Sequence, residues 1–430
     1  MKIAMVSEHA NPLATPGSVD AGGQNVHVAA LSRALAERGH RVTVYTRRDD
    51  PSTRTRVTLC PGVEVVHLTA GPEQHVPKDE LLPHLPALAE GLAAAWRFDR
   101  PDVVHSHFWM SGIAALDAAE ARGTGHPPVL HTFHALGSVK RRFQGAADTS
   151  PPERERLEPL VGQRVDTVIA TCPDEVEELH ALGIPAERID IAPCGVDLEM
   201  FEHADRPPRR AGAFRVLSLG RLVPRKGVDI AIRALGVLRE QGIADVELHI
   251  VGTGDAPTGA VGPDAETRRL ADLAESLGVA DQVRFLGRVP RDDVPALIRA
   301  ADAVVCTPWY EPFGIVPLES MACGTPVVAA NVGGLGDTVV HEGTGLLVPP
   351  QDPEAVAEAF ARLRADPAFA AALGAAGRTR VEHRYSWERV AARTELIYAR
   401  TLRERAQHHS QQITTRIDSA TGAHLAEAAL

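Results

Sequence analysis

At 430 residues the chain is too long for a single hydrophobic core and predicts two domains. Its 44% hydrophobic and 23% charged residues describe an ordinary soluble composition, and a net charge of -11 leaves no electrostatic footprint for nucleic acid. There is no run of about 18 apolar residues to cross a bilayer, and Glu8 interrupts the N-terminus before it could form a secretory leader. Five scattered cysteines without C-x-x-C suit a reducing compartment, so the expected location is the cytoplasm.

Lys2 to Ser7 reads as a strand. After a long loop, Ala21-Gly22-Gly23-Gln24-Asn25 leads into a helix from Val26 to Gly39. Glycines there let backbone approach a phosphate, although a tight turn explains them equally well. Arg41 to Thr46 and Val63 to Leu68 are further strands, and Asp79 to Trp96 is helical with prolines interrupting its start. Strands return at Val103 to His107, Val129 to Phe133, Thr167 to Thr171 and Arg188 to Ala192. Between them Lys140, Arg141 and Arg142 read as a solvated basic face. The alternation predicts a doubly wound parallel sheet. His203 to Ala213 breaks the pattern and reads as a linker. A second series starts at Phe214 and continues with Val246 to Val251, Val283 to Leu286, Ala303 to Cys306, Val327 to Ala330 and Gly345 to Val348. Residues 353 to about 403 are mostly helical, and the polar stretch from Glu404, with His408-His409, reads as a mobile tail. The expected division is 1–205, joined by helices at 386–403, then 206–385, then the tail 404–430.

Ligands of open parallel sheets sit beyond the carboxyl ends of strands. Arg221 and Lys226 follow the first strand of the second series, where two cations would neutralise a diphosphate. Glu311 and Glu319 stand eight residues apart, bracketing Pro312-Phe313-Gly314-Ile315-Val316-Pro317-Leu318. Pro317 is expected to open a helix, gathering the amides of Phe313 to Val316 at a positive helix end. Alone, such a pair is a helix start with two surface acids. Beside Arg221, Lys226 and the buried strands it suits a ligand bearing phosphates and hydroxyls, such as a sugar nucleotide. Gly252-Thr-Gly254 lacks the third glycine of a dinucleotide fingerprint and reads as a turn. His105, His107, His131 and His134 lack an acidic third ligand, so His105 and His131 read as buried and His134, past its strand, as facing substrate. No D-x-D, the usual metal-binding pair of sugar-nucleotide enzymes, and no G-x-S-x-G occurs.

Trp309-Tyr-Glu-Pro-Phe-Gly-Ile-Val-Pro-Leu-Glu-Ser-Met-Ala-Cys-Gly-Thr-Pro resembles the E-x7-E element of the retaining glycosyltransferases of family 4, which have the GT-B fold of two facing Rossmann-like domains. Gly220-Arg-Leu-Val-Pro-Arg-Lys-Gly is similar to their donor diphosphate element. The resemblance covers residues 1 to about 400. Gly22-Gly23-Gln-Asn and Ser106-His-Phe-Trp-Met-Ser-Gly most resemble the inositol-phosphate N-acetylglucosaminyltransferases of mycothiol synthesis and the sucrose-phosphate synthases.

The resemblance implies that Arg221 and Lys226 hold the diphosphate and Glu319 the ribose. Glu311 would hold the donor sugar with amides of Phe313, Gly314 and Ile315. Arg288 would lie by the base, Gly23 would pack on the phosphates, and His134 would meet the sugar near its reacting face. A phosphorylated acceptor would meet Lys78 and Arg154, with Asn25 nearby. Ala135 stands where those enzymes have threonine, and Phe108 where they have tyrosine. Each lost hydroxyl is worth about 0.5–1.5 kcal/mol, which leaves the acceptor open. The implied partners are a nucleotide-sugar donor and a small acceptor, with no cofactor, metal, nucleic acid or integral membrane association, and with room for a homo-oligomer. A GT-B nucleotide-sugar epimerase is the near rival.

Overall fold

Short runs of β-branched and aliphatic residues build two separate sheets in a computed structural model that describes residues 1–14, 22–123, 125–203, 212–254 and 262–427. The first contains β1 (Lys2–Val6), β2 (Arg41–Arg47), β3 (Arg56–Cys60), β4 (Val63–Leu68), β5 (Val103–His107), β6 (Val129–Thr132), β7 (Thr167–Ala170) and β8 (Ile189–Ile191), in the order β3-β4-β2-β1-β5-β6-β7-β8. The second contains β9 (Phe214–Leu219), β10 (Val246–Val251), β11 (Val283–Gly287), β12 (Ala303–Cys306), β13 (Val327–Ala330) and β14 (Leu346–Val348), in the order β11-β10-β9-β12-β13-β14. Every pairing is parallel except β3 with β4. β3 was not anticipated, because its half-exposed edge position weakens the apolar signal. Gly62, at φ 82°, makes the tight turn that joins it to β4.

In both sheets the strand order reverses beside the first strand, between β1 and β5 and between β9 and β12. Those reversals open crevices at the carboxyl ends of the strands, where ligands of such sheets bind. The loops after β9 and β12 carry residues 220–227 and 307–314, and among the described residues those after β1 and β5 carry 7–14, Gly22 and Phe108.

Helices cover both faces of each sheet. One core of the first sheet joins Val28, Leu31 and Leu35 of the Gly23–Glu37 helix to Val390, Ala391, Ile397 and Tyr398 of the C-terminal helix. That helix begins at Trp387 and so returns to the first half. The chain crosses between halves twice, and the crossings touch: Val196 N–H donates to the Tyr385 carbonyl at 2.8 Å, and Val196 bridges Ser386. Val196 and Phe201 already bury in a core of the second sheet, ahead of the boundary expected at 205. Most of the expected linker, and Ala21 of the first glycine loop, lie outside the described residues. From 404, where the sequence predicts an aperiodic tail, the backbone stays helical to Glu427. Among the described residues no helix is long and apolar enough to cross a membrane.

Candidate active site

The β9 and β12 loops are locked together by their backbones. Pro224–Lys226 forms one tight turn, which Gly227 closes at φ 65° before the Val228–Glu240 helix. Thr307 Oγ1 donates to the Gly227 carbonyl at 2.8 Å, and Trp309 N–H donates to the Arg225 carbonyl at 2.8 Å. A Cβ on Gly227 would stand 1.9 Å from the Thr307 carbonyl oxygen, and left-handed backbone already disfavours a side chain. Gly227→Ala is therefore expected to lower the melting temperature and to weaken donor affinity at the same time, because it parts the two loops that hold the site. Melting and donor titration of one sample check this.

That lock brings Lys226 Nζ onto the Glu311 carboxylate, with side chains 26% and 16% exposed. Burial alone would push the Glu311 carboxyl up, but the charges of Lys226 and Arg225 outweigh it and hold the group below its usual value. Its folded value is depressed, so its contribution to stability is present at neutral pH and is lost as pH falls through that value. Arg225 had no assigned role from sequence, although the Arg225-Lys226 doublet was its signal; Arg221 stays exposed at the mouth of the loop.

The Ile315–Ala322 helix starts from Gly314 at φ 71°, not from Pro317. Pro317 falls at the third helical position, so the turn offers the amides of Ile315 and Val316 while proline supplies none. Glu319 follows one turn into the helix, its side chain 3% exposed, and is paired with Arg291. The Arg291 guanidinium also lies over Phe201, 4.8 Å from the ring centre. Burial pushes the Glu319 carboxyl above its usual value against the pull of Arg291. Here the sign reverses, and its contribution is lost as pH rises through the folded value. Arg288, expected beside the base, sits in the exposed turn after β11, three residues before the arginine that pairs with Glu319.

The first half closes over this surface. A Cβ on Gly23 would lie 3.1 Å from Ile315 Cδ1 and 3.9 Å from Phe313 Cδ2. The His134 ring stands 5.2 Å from Phe313 and 5.0 Å from His27, and His27 stands 6.2 Å from Phe313. Behind them lies a set of buried histidines. His105 bonds Tyr398 Oη at 2.8 Å and Thr132 Oγ1 at 2.9 Å, and His131 bonds Ser106 Oγ at 2.8 Å. Burial lowers His27 to about 4 and His131 to about 3, and takes His105, His107 and His134 well below the usual value. Histidines neutral in the fold must charge when the chain unfolds in acid. Their stabilising effect, present above about pH 6.5, is lost as pH falls towards 4. The urea midpoint is expected to drop steeply between pH 6.5 and 5, and a flat profile there would contradict neutral burial.

The acceptor residues fall into two places. Phe108, at φ 78°, starts the Trp109–Glu120 helix, and the Arg154 guanidinium lies 5.0 Å from its ring centre. Arg154 is itself buried, donating to Glu158 at 2.8 Å and to the Ala135 carbonyl at 2.5 Å. Arg154 and Ser150 are in contact, at 3.3 Å, and Lys140 donates to the same hydroxyl at 3.0 Å. Lys78 starts the short Lys78–Glu80 turn, whose Asp79 accepts from Thr149 Oγ1, next to Ser150 in sequence, at 2.7 Å. Asn25 does not join them. Its carbonyl oxygen accepts from Gly22 N–H at 3.1 Å and its amide donates to the Asn11 carbonyl at 2.9 Å, so it holds the loop before its helix. Sequence reading missed Glu158, whose i,i+4 spacing from Arg154 on a helix was the available signal. It also missed the Glu8 carboxylate, which accepts from Ser111 and lies 2.7 Å from His9 Nδ1.

Comparison with known proteins adds to this geometry. Residues 200–380 match the glycosyl transferases group 1 and residues 21–200 match glycosyltransferase family 4. A D-inositol 3-phosphate glycosyltransferase of Kribbella flavida is 38% identical, the match covering 94% of this chain and 96% of that one. One from Acidothermus cellulolyticus is also 38% identical, over 97% and 94% of the two chains. Among solved structures, the sucrose-phosphate synthase of Thermosynechococcus elongatus superposes with a TM-score of 0.82 at 34% identity, over 93% of this chain and 98% of that one. HepE of Anabaena, in complex with UDP and glucose, shares the fold at a TM-score of 0.70 and 23% identity, over 93% and 99% of the chains.

Proposed function

The chain belongs to the group 1 glycosyltransferases of family 4 and is a glycosyltransferase with the GT-B fold, and on that premise we propose that it transfers a hexosyl group, with retention and without a metal, from a nucleotide-diphosphate sugar to a hydroxyl of a small phosphorylated acceptor. The observation that carries the reading is the Lys226–Glu311 pair at the β9–β12 crevice, set just before the helix that carries the buried Glu319–Arg291 pair. Arg221, Lys226 and the amides of Ile315 and Val316 would meet the departing diphosphate, which gains charge as the glycosidic bond breaks. Glu319 would take the ribose and Glu311 the sugar hydroxyls. Gly23 and His134 would face them from the first half, where contact with Ile315 and Phe313 excludes water that could hydrolyse the donor. Same-face attack follows, with the leaving phosphate accepting the acceptor proton.

A uridine donor is the family expectation. The names of the relatives favour inositol phosphate or the acceptor of a sucrose-phosphate synthase. Lys140, Ser150 and Arg154 form one polar group, and together with Lys78 they would meet such a phosphate. The cytoplasm is the proposed location, with no cofactor and no nucleic-acid partner. The test is a thermal-shift screen of UDP-, GDP- and ADP-sugars, followed by acceptor trials with the donor that stabilises most. Stabilisation by a UDP-sugar and transfer only when acceptor is present support the reading. Conversion of the UDP-sugar alone would point to an epimerase.

A further inference from the structure

One buried pair of histidines takes no part in the chemistry proposed above beyond the contact of His134 with the sugar. His107 ends β5 and has no exposed surface, while His134, just past β6, is 4% exposed. His107 Nδ1 lies 2.9 Å from His134 Nε2, with the rings stacked at 5.1 Å. The other nitrogen of each ring, His107 Nε2 and His134 Nδ1, is buried without a partner among the described residues. His134 holds this pose at φ 63°, left-handed backbone that few side chains adopt and that neighbouring packing must impose. The His107 ring is fixed between His105 at 4.2 Å and His27 at 5.8 Å.

Burial keeps both rings neutral. A neutral imidazole has one N–H and one lone pair, so the contact allows two arrangements. If His134 donates, His107 must carry its proton on Nε2, deep in the core with nothing to receive it. If His107 donates, the unmatched proton moves to His134 Nδ1, on the ring that meets Phe313 at the cleft, and the unmatched atom in the core is only a lone pair. A buried donor left unpaired is rarer than an acceptor left so, and at the cleft a ligand oxygen can receive it. We infer that His107 is a positioning residue that donates from Nδ1 to His134 Nε2 and thereby fixes His134 as the tautomer presenting Nδ1–H to an oxygen of the donor sugar. The inference rests on the reading that His134 faces that sugar.

Two-bond nitrogen–proton NMR of the full chain, labelled with 15N at histidine and assigned with single variants, reads the tautomer directly. His134 is expected to carry its proton on Nδ1 in the wild type. His107→Asn places an amide N–H near the lost Nδ1–H and is expected to keep that tautomer and most of the turnover. His107→Leu removes the donor and is expected to shift the His134 proton to Nε2 and lower kcat about tenfold, the order of one lost hydrogen bond. A wild-type His134 protonated on Nε2, or a leucine variant as active as the asparagine one, would overturn the inference. Wild-type turnover by His134→Ala, with the NMR result as expected, would instead remove the sugar contact and leave the tautomer assignment standing.

Discussion

Lys226→Ala is expected to lower kcat by about 10²–10³, the usual cost of removing one preorganised group aimed at developing charge, while the fold survives. The lysine stands on a turn whose backbone is held independently, by Thr307 on Gly227 and by Trp309 on Arg225, so truncation does not release the loop. Two effects combine. The positive charge meeting the leaving diphosphate is gone, and Glu311 loses the partner that most lowers its carboxyl. Arg225 remains but is partly buried, with the charge of Arg221 nearby, and its position cannot replace an ammonium already seated on the carboxylate. Lys226→Arg is expected to recover only part of the loss, since a planar fork replaces a point charge. Steady-state kinetics with a saturating acceptor, alongside thermal melts, separate these effects. Near-normal turnover with an unchanged melt would remove Lys226 from the donor site.

Arg291→Ala is expected to cost about 3 kcal/mol of stability, the low end for stranding one member of a buried ion pair because Arg291 is itself 29% exposed. The stranded group is Glu319, already pushed up by burial with its partner present. Without Arg291 its value rises further, so the variant loses most stability at high pH and regains part of it as pH falls and the carboxyl protonates. Arg291→Ala combined with Glu319→Gln is expected to be more stable than Arg291→Ala alone, since the unpaired charge is gone. Urea unfolding of the wild type and both variants at two pH values measures the coupling. A single variant that unfolds like the wild type at every pH would mean that Glu319 is solvated, and would leave the proposed ribose contact without its buried carboxylate.

Features set by local pattern were legible in the sequence. The apolar runs mark thirteen of the fourteen strands among the described residues, and the turns beyond β9 and β12 are recognisable because cations and carboxylates there have no core to pack in. Legibility failed where the deciding atom is distant in sequence. Pro317 looked like a helix opener, yet Gly314, held against Leu335 and Thr338, starts the helix at Ile315, two residues earlier. The pairing of Arg291 with Glu319 was not anticipated, because only the approach of the helix carrying Glu319 to the turn after β11 brings the two together. The bonds by which Asn25 holds the loop before its own helix were not anticipated either, since Asn11 is distant in sequence. The contact of His107 with His134 joins the ends of adjacent strands and becomes visible only once β5 pairs with β6. The helical stretch beyond 404 has no apolar periodicity to announce it, because its polar residues extend a helix anchored earlier, at Val390 to Tyr398.

The central claim is transfer from a nucleotide sugar at the β9–β12 crevice with the anomeric configuration kept. Proton NMR of the freshly formed product, made from a UDP-hexose in the presence of a metal chelator, tests it most directly. The account predicts undiminished turnover and an anomeric proton whose coupling matches the α-linkage of the donor. A β-linked first product, or transfer that stops when the chelator is added, would contradict it.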